Sequence, residues 1–109
     1  MPEINFGLFV QEKRASTKGT VLAKKTGISA AYLLDIEKGA RKAPAYSIQI
    51  KLAQALNLDK EDSRKLFDLA AKERNEIPAD VWYFLLKHEE YYSQIRVTFD
   101  CEFMIFEEE

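Results

Sequence analysis

The sequence predicts a mainly all-α protein that ends in one β-strand. Up to about residue 92, apolar residues recur every three or four positions, which is the period of amphipathic helices. From residue 95 onward the period changes to two, because apolar and polar residues alternate there. A length of 109 residues fits one domain and leaves little room for a second. Hydrophobic residues at 47% and charged residues at 31% exclude collagen-like, low-complexity and wholly disordered chains.

Three features of the composition lead us to expect a small cytoplasmic protein. The longest apolar run covers only residues 81–86, whereas a membrane-spanning helix needs about 20 apolar residues. The first residues show neither the basic segment nor the apolar segment of a signal peptide. Cys101 is the only cysteine and forms no internal disulfide, which favours a reducing compartment.

Three short helices are predicted before residue 40. Apolar residues at helical spacing predict the first helix, and Ser16 and Thr17 offer N-cap oxygens to the second. Gly27 ends the second helix, because glycine readily adopts the positive φ of the residue that follows a helix. Ser29 caps the third helix, and Gly39 ends it in the same way.

Three more helices are predicted between residues 44 and 92. The fourth follows Pro44 and carries apolar residues on one face. Asp59 and Asp62 mark the beginning of the fifth helix. Pro78 suits the first turn of the sixth helix, where Asp80 lies near the positive end of the helix dipole.

The final segment is predicted to be a strand, with a helix as the alternative. The alternation places six apolar residues on one side of an extended chain, namely Ile95, Val97, Phe99, Cys101, Phe103 and Ile105. A helical stripe also exists, through Tyr92, Ile95, Phe99, Phe103 and Phe106. We favour a strand within residues 95–106. Since no other segment resembles a partner strand, a second copy of the chain is its natural mate.

Positive charge is concentrated in the first part of the chain. Residues 1–46 contain eight Lys/Arg and four Asp/Glu, a net charge of +4, whereas residues 47–109 carry a net charge of −6. This division indicates a front end that faces a polyanion. Solvated helix faces are the alternative explanation.

The stretch 19–38 predicts two short helices that cross steeply as a helix-turn-helix. Ala23 is small where the two helices approach closely, and Gly27 permits the left-handed turn between them. The apolar positions of the motif are expected to fill the angle between the helices and to face the core: Leu22, Ile28, Leu33 and Ile36. An ordinary helical hairpin is the alternative.

The wider sequence resembles the Cro/cI-type, or XRE-type, helix-turn-helix regulators of phages, mobile elements and bacterial chromosomes. The segments that carry the resemblance are FG-x-FV-x-x-KR (6–14), LAKKTGIS (22–29), YLLDIEKG-x-RKAP (32–44) and KLAQALNL (51–58). The resemblance continues through DLAAKERNEIPADV (68–81), as in a subgroup with an added C-terminal helix. It covers about residues 6–96, and the tail after Arg96 lies outside it.

The resemblance implies a five-helix, λ-repressor-like DNA-binding domain over residues 1–75, whose third helix enters the major groove of double-stranded DNA. It also implies which positions contact DNA: Arg14, Lys18, Gly19, Lys24, Ser29, Ala30, Ala31, Tyr32, Asp35, Arg41 and Lys42. The cations among them would meet phosphates, aided by the dipole of the second helix. The residues of the third helix would face base edges or the nearby backbone.

The chain departs from the family at three of these positions. Family members often have Gln or another polar residue in place of Gly19, and longer polar side chains in place of Ala30 and Ala31. Alanine contacts a thymine methyl but forms none of the bidentate hydrogen bonds that discriminate bases by about 1–3 kcal/mol each. Direct readout is therefore expected to be modest, with DNA shape and Tyr32 contributing more. A recognition helix turned to a protein partner is the alternative.

Two roles are open for Arg14. It either contacts phosphate or stabilises the fold as one member of an ion pair. Glu37 is expected to pair with Arg14 or with a nearby amide, because its negative charge would oppose binding if it faced DNA.

Residues 76–109 are predicted to be a dimerisation segment. The run 82–86 is too apolar for a surface helix of a monomer, so part of it is expected to pack across a dimer. The predicted interface consists of Trp82, Leu85, Tyr92, Ile95, Val97, Phe99 and Phe103. Burial under the terminal strand within one chain is the alternative.

These features together predict a dimeric, sequence-specific repressor of a phage or mobile-element locus. An antitoxin-type or other interaction module, which binds a protein partner through its C-terminal segment, is the second hypothesis. No enzyme, cofactor or metal site is expected, because His88 and Cys101 are single and lack metal-ligand spacing.

Overall fold

A computed structural model describes residues 4–99 of the chain. Seven α-helices lie in this part: α1 (Phe6–Arg14), α2 (Gly19–Thr26), α3 (Ala30–Lys38), α4 (Tyr46–Ala55), α5 (Lys60–Arg74), α6 (Ala79–Lys87) and α7 (Tyr92–Phe99). A 3₁₀ turn, Glu89–Tyr91, precedes α7. The predicted all-α class and the six predicted helices are confirmed. None of the described helices is long and apolar enough to cross a membrane.

The chain divides into two compact units, one that ends at Ala79 and one that begins at Asp80. The first unit contains α1 to α5, and the second contains most of α6 together with α7. The functional division into a DNA-binding domain over 1–75 and a dimerisation segment over 76–109 stays a prediction.

The five helices of the first unit enclose one apolar core. The helix α1 packs on α3 and α5, α2 packs on α3 and α4, and α4 packs on α5. The largest buried apolar side chains come from all five helices: Phe6, Phe9, Leu22, Leu33, Ile36, Leu52 and Leu66. Because α2 and α3 each give one face to this core, their opposite faces are left to solvent.

Local capping residues set most of the helix ends. The Ser29 Oγ accepts a hydrogen bond from the backbone N–H of Tyr32 at 3.0 Å, and the Asp59 Oδ1 accepts one from Asp62 at 2.8 Å. Gly27 and Gly39 follow α2 and α3 with φ angles of 74° and 82°. These four predictions are confirmed.

The predicted cap of α2 is wrong. Lys18 is the N-cap residue, and its side chain makes no capping hydrogen bond. The reason lies in the turn after α1, where the backbone N–H of Thr17 donates to the Arg14 carbonyl at 2.8 Å. Ser16 and Thr17 belong to this turn, so α2 begins at Gly19, one residue after the start that a Thr17 cap would give and two after the start that a Ser16 cap would give.

The strand prediction is wrong for residues 95–99, which belong to α7. A helix satisfies its backbone donors and acceptors internally, whereas a single strand needs a partner, and the described residues 4–99 contain no other strand. Ile95 also lines an apolar groove together with side chains of α6. Tyr91, Ile95 and Thr98 all line this groove, and their separation by three or four residues is the spacing of a helix. The remainder of the predicted strand, including Phe103, lies outside the described residues.

Gly7 allows α1 to touch the last turn of α3. A Cβ atom at this position would lie 2.2 Å from the Ile36 carbonyl oxygen and 2.9 Å from that of Glu37. Both atoms belong to backbone that is buried between helices, so neither moves aside easily. Residue 7 must therefore be glycine, because the space between α1 and α3 does not admit a side chain at this position.

We expect Gly7→Ala to lower the free energy of unfolding by about 1–3 kcal/mol, the usual cost of overpacking a core. The matched control is Gly19→Ala, since an added Cβ there would meet its nearest atom, Arg14 Cζ, at 3.8 Å. The control should be as stable as the parent or more stable by less than about 1 kcal/mol. Urea unfolding followed by circular dichroism measures both, and equal stabilities would contradict the close approach.

Candidate nucleic-acid interface

The helices α2 and α3 form a helix-turn-helix. Ala23 is buried at the crossing, and its carbonyl oxygen accepts from the backbone N–H of Ile28 at 3.1 Å. Gly27 turns the chain through a left-handed conformation, and Ser29 then caps α3. The predicted crossing of two short helices is confirmed, with Leu22 and Leu33 buried as expected.

One side of α3 is exposed along its whole length. Leu33, Ile36 and Glu37 face the protein interior. The exposed side chains are Ala30, Ala31, Leu34 and Lys38, and the half-buried ones are Tyr32 and Asp35. The sequence reasoning included Ala30 and Ala31 but missed Leu34, which the helical period places three and four residues further along the same side.

The N-terminus of α2 lies beside this exposed side. Gly19, Thr20, Ala30 and Leu34 line one shallow cleft, which Arg14, Leu33 and Glu37 complete. Lys18, at the N-cap, is exposed. The positive end of the α2 dipole is therefore uncapped and adjoins an exposed cation, an arrangement that favours an anion.

The loop after α3 carries two more exposed cations, Arg41 and Lys42. The backbone N–H groups of Ala40 and Arg41 donate to the Asp35 carbonyl at 2.9 and 3.2 Å, so the chain folds back on α3. The Arg41 guanidinium thereby lies 5.8 Å from the centre of the Tyr32 ring, within the range of a cation–π contact.

The other end of this loop is anchored to α5. Glu73 accepts hydrogen bonds from the backbone N–H of Ala43 at 3.1 Å and from that of Phe6 at 3.0 Å. Arg74 donates to the Ala43 carbonyl at 3.0 Å. Both backbone groups of Ala43 are thus held by side chains of α5. Sequence reasoning missed Glu73, because its partners lie 30 and 67 residues away along the chain.

Arg14 forms a bidentate ion pair with Glu37. Its Nε and Nη2 atoms lie 2.6 and 2.9 Å from the two carboxylate oxygens, and its Nη1 donates to the Thr17 carbonyl at 2.9 Å. The side chains are 19% and 3% exposed. The hydrogen bonds to Glu37 raise the pKa of Arg14 above its ordinary value. The predicted pairing of Glu37 is confirmed, and the phosphate contact of Arg14 stays a prediction.

The remaining predicted site residues are placed as follows. Lys24 is exposed near the end of α2. In the C-terminal unit, Trp82, Leu85, Tyr92 and Ile95 are half-buried, whereas Val97 is 81% exposed. Phe99 ends α7, and Phe103 lies outside the described residues.

Comparison with known proteins agrees with this geometry. Residues 11–62 match the protein family described as Helix-turn-helix. They form a Cro/cI-type, or XRE-family, helix-turn-helix domain. No curated protein and no solved structure matches the chain.

The match assigns the protein the general function of a DNA-binding transcription regulator. It runs from within α1 to the first turn of α5 and contains all of the helix-turn-helix. The XRE family is not typically enzymatic. Membership of the subgroup with an added C-terminal helix stays a prediction, since α6 and α7 lie beyond the matched residues.

We expect Glu37→Gln to lower the free energy of unfolding by about 2–3 kcal/mol, because it leaves the half-buried charge of Arg14 without its counterion. Arg14→Met should cost a similar amount. The double variant should cost less than the sum of the two, since neither charge then stays unpaired. A double-mutant cycle in urea measures the coupling, and strictly additive costs would contradict the ion pair's role in joining α1 to α3.

Proposed function

We propose that the protein is a cytoplasmic, dimeric, sequence-specific repressor of a phage or mobile-element locus. The observation that supports this most strongly is the exposed side of α3, which adjoins the uncapped end of α2 and the anchored loop of Arg41 and Lys42. In the proposed complex α3 lies in the major groove, as recognition helices do. The dimer represses by covering a promoter and excluding polymerase.

The phosphate contacts in this complex come from cations that no described carboxylate neutralises. Lys18, Arg41 and Lys42 are exposed, and the described salt bridges engage other residues. Lys18 adjoins the cleft beside the exposed side of α3, and Arg41 and Lys42 lie in the loop that follows α3, so cations flank this side at two places. Arg14 contributes by holding α1 against α3.

The dimer contact comes from the apolar surface of the C-terminal unit. Val81, Phe84, Leu86 and Tyr91 are each exposed although they are large and apolar, and Val97 is exposed more than any of these four. So much apolar surface on so short a unit is typical of an interaction site. A second copy is the proposed occupant, because a two-fold dimer presents two recognition helices to half-sites about 34 Å apart.

We expect the purified protein to enrich a palindromic motif from a pool of randomised DNA duplexes, with affinity that falls steeply as salt rises. Arg41→Ala should reduce the slope of log affinity against log salt by about 0.9 per half-site, and so by about 1.8 for the bound dimer. Fluorescence anisotropy measures the slope. Lys60→Ala removes an equal charge from the exposed first turn of α5, outside the helix-turn-helix, and should leave the slope unchanged. Failure to enrich any motif would contradict the proposed function.

We expect Leu86→Glu and Val97→Glu each to shift the dimer towards monomer, because an interface that buries an unpaired carboxylate loses far more than it gains. Both residues are exposed, so the fold should survive. Sedimentation velocity measures the state, and Leu8→Glu on α1 is the matched control at 42% exposure. A monomeric parent protein would contradict the dimer and favour the antitoxin-type module, which binds another protein through this surface.

A further inference from the structure

The exposed side of α3 is apolar where a base-reading surface is usually polar. Leu34 is 46% exposed, and Ala30 and Ala31 are exposed beside it. The nine residues of α3 include no Arg, Asn or Gln, and the one lysine, Lys38, is the last residue of the helix, whereas a recognition helix reads bases mainly with its N-terminal residues. Leu34 and the two alanines therefore give the solvent-facing side of α3 an apolar patch.

The polar groups near this surface are largely engaged. The Ser29 hydroxyl oxygen already accepts from Tyr32. The Tyr32 ring faces the guanidinium of Arg41. Asp35 is half-buried, and its carboxylate favours only a cytosine amino group. Apart from Lys38 in its last turn, α3 therefore has few side chains available to form hydrogen bonds with base edges.

The adjoining cleft has the chemistry of a methyl site. It measures about 250 Å³, and most of the residues that line it are short or apolar: Gly19, Thr20, Ala30, Leu33 and Leu34. Arg14 and Glu37 also line it, but their charges are paired with each other. It stays open because Gly19 has no side chain, and an added Cβ would find no atom closer than 3.8 Å. In the major groove of B-DNA, the one apolar group that a base pair presents is the 5-methyl group of thymine.

We propose that Ala30, Ala31, Leu34 and the cleft beside Gly19 form a surface that recognises thymine 5-methyl groups. This inference rests on the proposed function and names the class of DNA sequence that the site selects. Ala30 and Leu34 are separated by about 6 Å along the helix axis. Base pairs are stacked about 3.4 Å apart, so at any angle of α3 in the groove these two side chains lie within about two base-pair steps of each other. Each half-site therefore contains thymine at neighbouring base pairs, on one strand or on both.

The test uses the duplex enriched from the randomised pool, with each thymine replaced in turn by uracil, which removes only the methyl group. Affinity should fall about fourfold at one or two neighbouring positions of a half-site, the factor that corresponds to burying one methyl group. Replacement by 5-bromouracil, whose bromine has nearly the size of a methyl group, should restore it. Uracil duplexes that bind as tightly as the parent at every position would overturn the proposal, as would an enriched motif without thymine.

A pair of matched variants assigns the effect to this surface. Leu34→Ala should abolish the discrimination between thymine and uracil at one position while the salt slope stays unchanged. Leu8→Ala makes the same chemical change at similar exposure on α1 and should leave the discrimination intact. Unchanged discrimination in Leu34→Ala would overturn the role of Leu34. A protein that enriches no duplex would instead overturn the proposed function, because no reference affinity would then exist.

Discussion

The orientation of α3 depends on how closely α1 approaches its last turn. Gly7, near the beginning of α1, leaves room for the backbone carbonyls of Ile36 and Glu37. Arg14, at the other end of α1, pairs with the Glu37 carboxylate. The two contacts lie at opposite ends of α1 and both meet the last turn of α3, so together they hold this end of α3 against α1. A base-reading surface needs a helix that is held in one position, since its contacts tolerate displacements of only about 0.5 Å.

The formal net charge of −2 does not show that the charged residues fall into two groups, those that are paired within the fold and those that stay exposed. Arg14 and Arg74 are positively charged, yet each is paired with a glutamate and binds a backbone carbonyl of a turn or loop. Glu73 binds two backbone N–H groups of the same unit. The cations of the anchored loop, Arg41 and Lys42, are held in place without being neutralised by a described salt bridge. Counting charges along a sequence does not separate these two classes, because the separation depends on distance in space.

The apolar recognition helix has a consequence for how affinity and discrimination are divided. Backbone contacts supply most of the affinity of such complexes and carry no sequence information directly. A surface of short apolar side chains adds little affinity per base pair, so in the proposed complex discrimination would also depend on DNA shape and on the sum of two half-sites. In the complex that we propose, dimerisation would compensate for modest base reading, because a single half-site would be bound weakly and a correctly spaced pair would be bound well.

The sequence by itself determined the features that depend on neighbouring residues. Gly27 and Ser29 identify the turn of the helix-turn-helix because caps and left-handed turns involve atoms a few residues apart. The strand predicted over residues 95–99 was wrong, since an apolar alternation does not show whether a partner strand exists. Only the tertiary structure decided why Gly7 must lack a side chain and which loop Glu73 holds. Both depend on backbone atoms brought close from at least 29 residues away, and no local pattern records such a contact.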